Sequence, residues 1–266
     1  AVNFDIKNTV FSYIPNTAEI AFLGLTEEIQ HQHIQQNLAD FHAGKLKSLD
    51  ELNAQLTIMP RIEKIAIKDV KLRTFITEDT TRNDLVHHVY DVTYGLVNNH
   101  KDTLVVLDDS IVRGTTLKES ILTMLDRLQP KKIIVVSSAP QIRYPDCYGI
   151  DMSKMGSFVA FQAAVRLWKI KDEKFLPDLF RRCKEELQKP PLEMQNLVKE
   201  VYAPFTDEEI SKEIANIVKP NHIFSDVEVI YQTIDNLHQA CPNNLGDWYF
   251  TGNYPTPGGN RVTLKA

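Results

Sequence analysis

Thr103-Leu-Val-Val-Leu-Asp-Asp109 starts as an apolar run and stops in two carboxylates, and Ser110-Ile-Val-Arg-Gly-Thr-Thr116 carries the chain onward. A short apolar run bounded by turn signals reads as a strand buried on both faces. Lys131-Lys-Ile-Ile-Val-Val-Ser-Ser-Ala-Pro140 repeats the pattern. Between the two runs, Leu117, Ile121, Leu122, Leu125 and Leu128 recur at helical spacing. Thr116-Leu-Lys-Glu119 reads as a capping box opening that helix, and Pro130 stops it. Two buried strands joined by one helix are most simply parallel with a right-handed crossover. The expected fold class is therefore α/β, an open and mostly parallel sheet flanked by helices, with ligands at the carboxyl ends of its strands. The site is expected from Asp108 onward.

Outward from this unit, Thr9 to Ile14 reads as a first strand closed by Pro15. Residues 26 to 56, rich in Gln, His, Lys and Leu, predict one or two surface helices. His31 and His33 lie two apart and so face different sides of such a helix, which favours a solvated surface over a metal site. After Asp151 the chain turns helical, with Phe158, Phe161, Val165 and Trp168 as one apolar face. Thr206-x-x-Glu209 and Ser225-x-x-Glu228 read as further capping boxes, and Pro190-Pro191 as a break. The Pro-, Gly- and Asn-rich tail from Cys241 to Ala266 predicts an irregular wrap. The organisation expected is a core over 1–155 and a helical C-terminal extension and tail over 156–266 packed on it.

At 266 residues and 43% hydrophobic, the chain has enough apolar material for a large buried core. A net charge of −5 argues against nucleic acid or anionic lipid as a partner, so an anionic ligand has to be gripped locally. Cys147, Cys183 and Cys241 are odd in number and widely spaced, which argues against a disulfide framework and suits a reducing cytoplasmic setting. The first twenty residues carry Asp5 and Lys7 without a signal-type apolar run, and no stretch has the length of a membrane span.

The chemistry concentrates where the strand hands over to the helix. Backbone N–H groups are unpaired at a helix start, and its dipole favours an anion. Gly114 permits a turn that converges successive N–H groups, and Ser110, Thr115 and Thr116 add hydroxyl donors. Asp108 and Asp109 repel a phosphate, so they suit hydroxyls or a metal ion. A ribose 5-phosphate carries both features, a diol and a phosphate a few bonds away.

Leu107-Asp-Asp-Ser-Ile-Val-Arg-Gly-Thr-Thr116 resembles the phosphoribosyl pyrophosphate (PRPP) loop of type I phosphoribosyltransferases, and within that group the chain looks most like the glutamine PRPP amidotransferases. Three further blocks follow that family's order. Leu72-Arg-Thr-Phe-Ile76 is similar to its G-R-T-F-I; Ser138 to Pro145, with Tyr148-Gly-Ile-Asp-Met152, to its S-x-P-x-I-R-Y-P and Y-G-I-D; and Phe250-Thr-Gly-Asn-Tyr-Pro255 to its F-T-G-x-Y-P.

The resemblance implies a type I phosphoribosyltransferase fold. In it Asp108 and Asp109 hold the ribose hydroxyls and the attached Mg²⁺, while Ser110, Ile111, Val112, Arg113, Gly114, Thr115 and Thr116 hold the 5-phosphate. Arg73 meets the pyrophosphate, and Thr17, in the place of the family's P-D-S serine, offers a hydroxyl to the metal–pyrophosphate group. The implied reaction is displacement of pyrophosphate by ammonia to give phosphoribosylamine for purine synthesis, in a homo-oligomer. The implied ammonia source is a glutaminase domain; with Ala1 first and no Cys before Cys147, the expectation is the C-terminal part of a longer enzyme, and the alternative a protein that stands alone and uses free ammonia or another amine.

Departures from the family are also legible. Gly246 and Tyr249 stand where some members carry cluster-ligating cysteines, so no iron–sulfur cluster is expected. Ile67-Lys-Asp-Val-Lys-Leu72 and Leu85-Val-His-His-Val-Tyr-Asp91 depart from the family's flexible loop and its pyrophosphate lysine. Lys68, Lys71, His87 and His88 are the possible substitutes there, or ordinary loop residues. These changes keep open a degenerate PRPP- or nucleotide-sensing domain that performs no chemistry. A salvage enzyme acting on a free base is disfavoured, since the resemblance runs to Pro255.

Overall fold

The computed structural model describes residues 2, 5–68, 90–146, 152–244 and 246–266. The chain forms two compact units interleaved in sequence: residues 1–109, 116–138 and 220–228 in the first, and 110–115, 139–219 and 229–266 in the second.

The main sheet has five strands in the order β2-β1-β5-β6-β7. Its strands are β1 (Thr9–Tyr13), β2 (Arg61–Ile62), β5 (Thr103–Asp108), β6 (Lys132–Ser137) and β7 (Asp226–Tyr231). β1 pairs parallel with β2 and with β5, and β5 parallel with β6, so the sheet is mostly parallel as the apolar runs require. Leu104 and Ile133, cross-strand partners in β5 and β6, are wholly buried. β3 (Ala66–Lys68) and β4 (Tyr90–Val92) form a separate antiparallel pair.

Helices α1 (Glu19–His42) and α2 (Leu49–Leu56) occupy the stretch expected to be surface helix, α1 starting earlier than the composition suggests. His33 bridges them, its Nε2 lying 3.1 Å from the Gln55 carbonyl, while His31 pairs with Glu28. The crossover between β5 and β6 ends in a π-helical turn (Leu117–Ile121) running into α3 (Leu122–Asp126), with Ile121, Leu122 and Leu125 packed in the core.

Ser225-x-x-Glu228 does not start a helix. Asp226-Val-Glu-Val-Ile-Tyr231 alternates and is β-branched, and it becomes β7. The Ser225 hydroxyl donates to Asp126 Oδ1 at 2.6 Å and to the Pro130 carbonyl at 2.9 Å, which fixes where the strand begins.

The second unit contains α4 (Val159–Lys171), α5 (Phe175–Glu186) and α6 (Asp207–Val218). The buried stripe of α4 is Val159, Ala160, Ala163, Ala164 and Trp168; Phe161 and Val165, assigned from the sequence to the apolar face, are only half-buried. Small residues allow α6 to approach α4 closely. Thr206 and Glu209 form the expected capping box. The tail is more regular than its composition implies, with α7 (Ile234–Ala240), α8 (Trp248–Thr251) and α9 (Pro257–Lys265), the last opened by Pro257 in its first turn. Among the described residues no helix is long and apolar enough to cross a membrane.

Candidate functional site

The strand order places the site. From β1 the chain moves to β2 on one side, then returns to β5 on the other side of β1 and continues outward to β6 and β7. That reversal is a topological switch point, and in open parallel sheets ligands bind outside the carboxyl ends of the two strands flanking it. Those ends lie side by side, because Tyr13 pairs with Leu107 and the Ile14 N–H donates to the Leu107 carbonyl at 2.8 Å. Pro15-Asn16-Thr17 leaves the sheet from β1, and Asp108 ends β5 with Asp109 just beyond it. The sequence separates Thr17 from the two carboxylates by some ninety residues; the sheet brings their strand ends together.

Asp108 and Asp109 are both half-buried, and Thr17 is exposed. Asp108 Oδ1 accepts from the Asp109 N–H at 3.0 Å. The Asp108 carbonyl accepts from the Ser138 N–H at 2.9 Å, and the Asp109 carbonyl from the Ser138 hydroxyl at 3.0 Å. Among the described residues no three His, Cys, Asp or Glu side chains cluster as a ready metal cage. Two adjacent carboxylates nevertheless suit Mg²⁺, a hard cation that keeps several waters and takes its other oxygens from a substrate's phosphates. The donor set thus fits an ion arriving with a polyphosphate.

The loop residues 110–115 belong to the second unit and are held within it. The Val112 carbonyl accepts from the N–H of Val159, the first residue of α4, at 2.8 Å. Ile111 is buried, whereas Thr115 is exposed. Gly114 has φ +70°, in the left-handed region, and a Cβ there would stand 2.8 Å from Val218 Cγ1. Glycine is therefore required twice, by the turn and by the approach of α6.

Thr116 is not an N-cap. Its backbone is already helical at φ −59°, ψ −40°, and its side chain makes no cap bond, because the helix begins one residue earlier at Thr115. The capping box read from Thr116 and Glu119 is thus not formed. In the following π turn, the Leu122 N–H reaches back to the Leu117 carbonyl. Such wide turns recur at functional sites.

Arg73 lies outside the described residues, as do Lys71, His87 and His88. Of Ile67 and Lys68, the structure gives the backbone in β3.

Two of the quoted blocks meet in the second unit. The Arg143 and Tyr144 N–H groups donate to the Tyr249 carbonyl at 2.9 and 3.1 Å, and Tyr254 Oη donates to the Pro145 carbonyl at 2.5 Å. Gly252, at φ +69°, has no room for a Cβ, which would fall 2.8 Å from the Tyr144 ring. The Arg143 guanidinium pairs with Asp207, donates to Gln141 Oε1 at 2.7 Å and lies over the Tyr202 ring. Burial pushes the Tyr202 and Tyr144 phenols well above their ordinary range, and the Tyr202 hydroxyl donates to the Arg143 carbonyl at 2.9 Å. Arg143 is therefore an anchor of this packing. Cys183 is buried, which pushes its thiol up, and Cys241 is exposed.

Ser138 opens one of the family-like blocks without a role of its own there, and nothing in the sequence singles out Val159. The signal for Ser138 was its place at the end of a buried strand beside the one bearing the two carboxylates.

Comparison with known proteins agrees with the motif. The amidophosphoribosyltransferase of Pasteurella multocida is 48% identical over 67 residues, 25% of this chain and 13% of the relative. The chain is similar to amidophosphoribosyltransferases. The Saccharomyces cerevisiae amidophosphoribosyltransferase is 27% identical over a longer stretch of 157 residues, 58% of this chain and 20% of the relative. Among solved structures, the allosteric regulatory enzyme of purine biosynthesis aligns with 93% of this chain at 21% identity and a TM-score of 0.47. The similarity extends to 37% of that neighbour's chain, and the matched stretches span about an eighth to a fifth of the curated relatives' length. No family model matches.

Proposed function

We propose that this chain is a PRPP-binding phosphoribosyltransferase domain that displaces pyrophosphate from PRPP with ammonia, giving phosphoribosylamine. The carrying observation is the Asp108–Asp109 pair at the carboxyl end of β5, beside the end of β1 at the switch point of the sheet. The kinship with amidophosphoribosyltransferases supports the choice of ligand and of acceptor.

In this reading Asp108 and Asp109 accept the ribose hydroxyls and hold Mg²⁺. Residues 110–116 donate N–H and hydroxyl hydrogens to the 5-phosphate, with Gly114 shaping the turn. Thr17 offers its hydroxyl on the pyrophosphate side, and Arg73 is assigned there by resemblance. Bound Mg²⁺ supplies neutralisation of the departing pyrophosphate. The bond from the anomeric carbon to the pyrophosphate oxygen breaks with its electron pair on pyrophosphate. The ammonia lone pair forms the new C–N bond, and a proton is lost to solvent. Positive charge on the ribose ring builds between these events, and the two carboxylates favour it. The ammonia is proposed to come from glutamine through a glutaminase domain, in a cytoplasmic homo-oligomer.

The test is pyrophosphate release from PRPP with Mg²⁺ and ammonium, repeated with free purine and pyrimidine bases. Ammonium-dependent release is expected, and Asp108→Asn with Asp109→Asn should lower it by about 100-fold or more. Near-normal release in that double variant overturns the mechanism. The altered segments 67–72 and 85–91 favour a second reading, a sensing domain, for which tight PRPP binding without release is the signature.

A further inference from the structure

Carbonyls along a strand point alternately to the neighbours on either side. In β5 the Leu107 carbonyl faces β1, accepting from Ile14, and the Asp108 carbonyl faces β6, accepting from the Ser138 N–H. Were the strand to continue, the Asp109 carbonyl would face β1 again. Instead it accepts from the Ser138 hydroxyl, on the β6 side, at 3.0 Å. The backbone has left the strand at Asp109, and Ser138 holds the peptide that has turned.

That turn matters for two reasons. Adjacent residues of a strand project to opposite faces, so successive carboxylates can serve one diol only if the backbone turns between them. A trans peptide also carries its C=O and N–H on opposite edges, so fixing the Asp109 carbonyl fixes the direction of the Ser110 N–H.

We propose that Ser138 is a positioning residue of the sugar-phosphate site, its hydroxyl holding the Asp109 peptide so that both carboxylates and the first loop amide address one ligand. The inference rests on the sugar-phosphate reading above and adds to it a residue on the neighbouring strand. The Ser138 N–H bond to Asp108 is a backbone bond and survives any side-chain change. Removing the hydroxyl therefore leaves the β5–β6 ladder intact and takes one hydrogen bond from the Asp109 carbonyl.

The experiment is calorimetric titration of the chain with PRPP and, separately, ribose 5-phosphate in the presence of Mg²⁺, well below the melting temperature. Wild type, Ser138→Ala, Ser138→Cys and Ser138→Thr are compared, with Tm recorded for each. Ser138→Ala should weaken both ligands about three- to tenfold, the scale of one lost hydrogen bond. Ser138→Cys, a weak donor of similar shape, should fall between, and Ser138→Thr, which keeps the hydroxyl, should bind within about twofold of wild type. Unchanged affinity in Ser138→Ala overturns the proposal, as does an equal loss in Ser138→Thr, which would mark packing as the cause. Should Ser138→Ala fail to fold, the Cys and Thr variants decide by the same comparison. A wild-type chain that binds neither ligand overturns the sugar-phosphate reading itself, and the role of Ser138 with it.

Discussion

Gly114→Ala tests whether the loop conformation is set by local geometry. At φ +70° an alanine pays the left-handed penalty, roughly 1–2 kcal/mol. Its Cβ would also stand 2.8 Å from Val218 Cγ1, where a real Cβ essentially never sits. Val218 is buried and β-branched, so its methyl cannot swing aside. Overpacking of this kind costs about 1–3 kcal/mol, and Val159 at 3.5 Å adds only ordinary contact. Together the loss should be roughly 2–5 kcal/mol, read as a shift in urea denaturation. The two contributions separate in a cycle with Val218→Ala, which removes the clashing methyl and leaves the φ penalty in place. The double variant should be more stable than additivity predicts by about 1–3 kcal/mol, the overpacking share. PRPP affinity should fall in Gly114→Ala beyond what unfolding accounts for, because the loop amides move. A loss below about 0.5 kcal/mol, or strict additivity in the cycle, would refute the reasoning.

The Asp102 carboxylate is completely buried; burial pushes its pKa up, but bonds from the Asn98 N–H and from Arg61 at 2.7 Å outweigh that and hold it below the usual carboxylate range. A depressed carboxylate stabilises the fold above its unfolded pKa of about 3.9 and loses that contribution as pH falls through its folded value. Asp102→Asn should therefore flatten the loss of stability between pH 5 and acid, and Arg61→Met should cost about 1–3 kcal/mol at pH 7; urea titrations that give wild type and Asp102→Asn the same acid slope would count against this. Thr206→Ala breaks the capping box of α6 and should cost about 1 kcal/mol, whereas Ser→Ala at position 225 should shift the start of β7; amide hydrogen exchange along 207–218 and 226–231 distinguishes the two effects.

Buried strands were legible because they need nothing but apolar residues in succession. Thr103–Asp108 and Lys132–Ser137 declared themselves that way, and the helix between them followed from its spacing. The loop could be singled out from local chemistry alone, since a glycine, adjacent hydroxyls and two carboxylates are contiguous in the chain.

Misreadings came where local and tertiary demands compete. Thr116 has capping chemistry, but the helix had already begun at Thr115. Ser225 has it too, yet its hydroxyl goes to Asp126 and Pro130, and the residues after it find a sheet edge beside β6. On α4 the larger apolar residues suggested the buried face, whereas close helix packing selected the alanines.

By itself the sequence determined which segments must be buried, where the glycine turn falls and which carboxylates accompany it, because each is a property of neighbouring residues. Tertiary structure alone decided that the end of β1 lies beside Asp108, that Ser138 holds the Asp109 carbonyl, and that α4 and α6 close on the Gly114 turn. The reason is physical: hydrogen-bond register and steric contact between distant segments depend on which strand pairs with which, and periodicity along one segment carries no record of its neighbour.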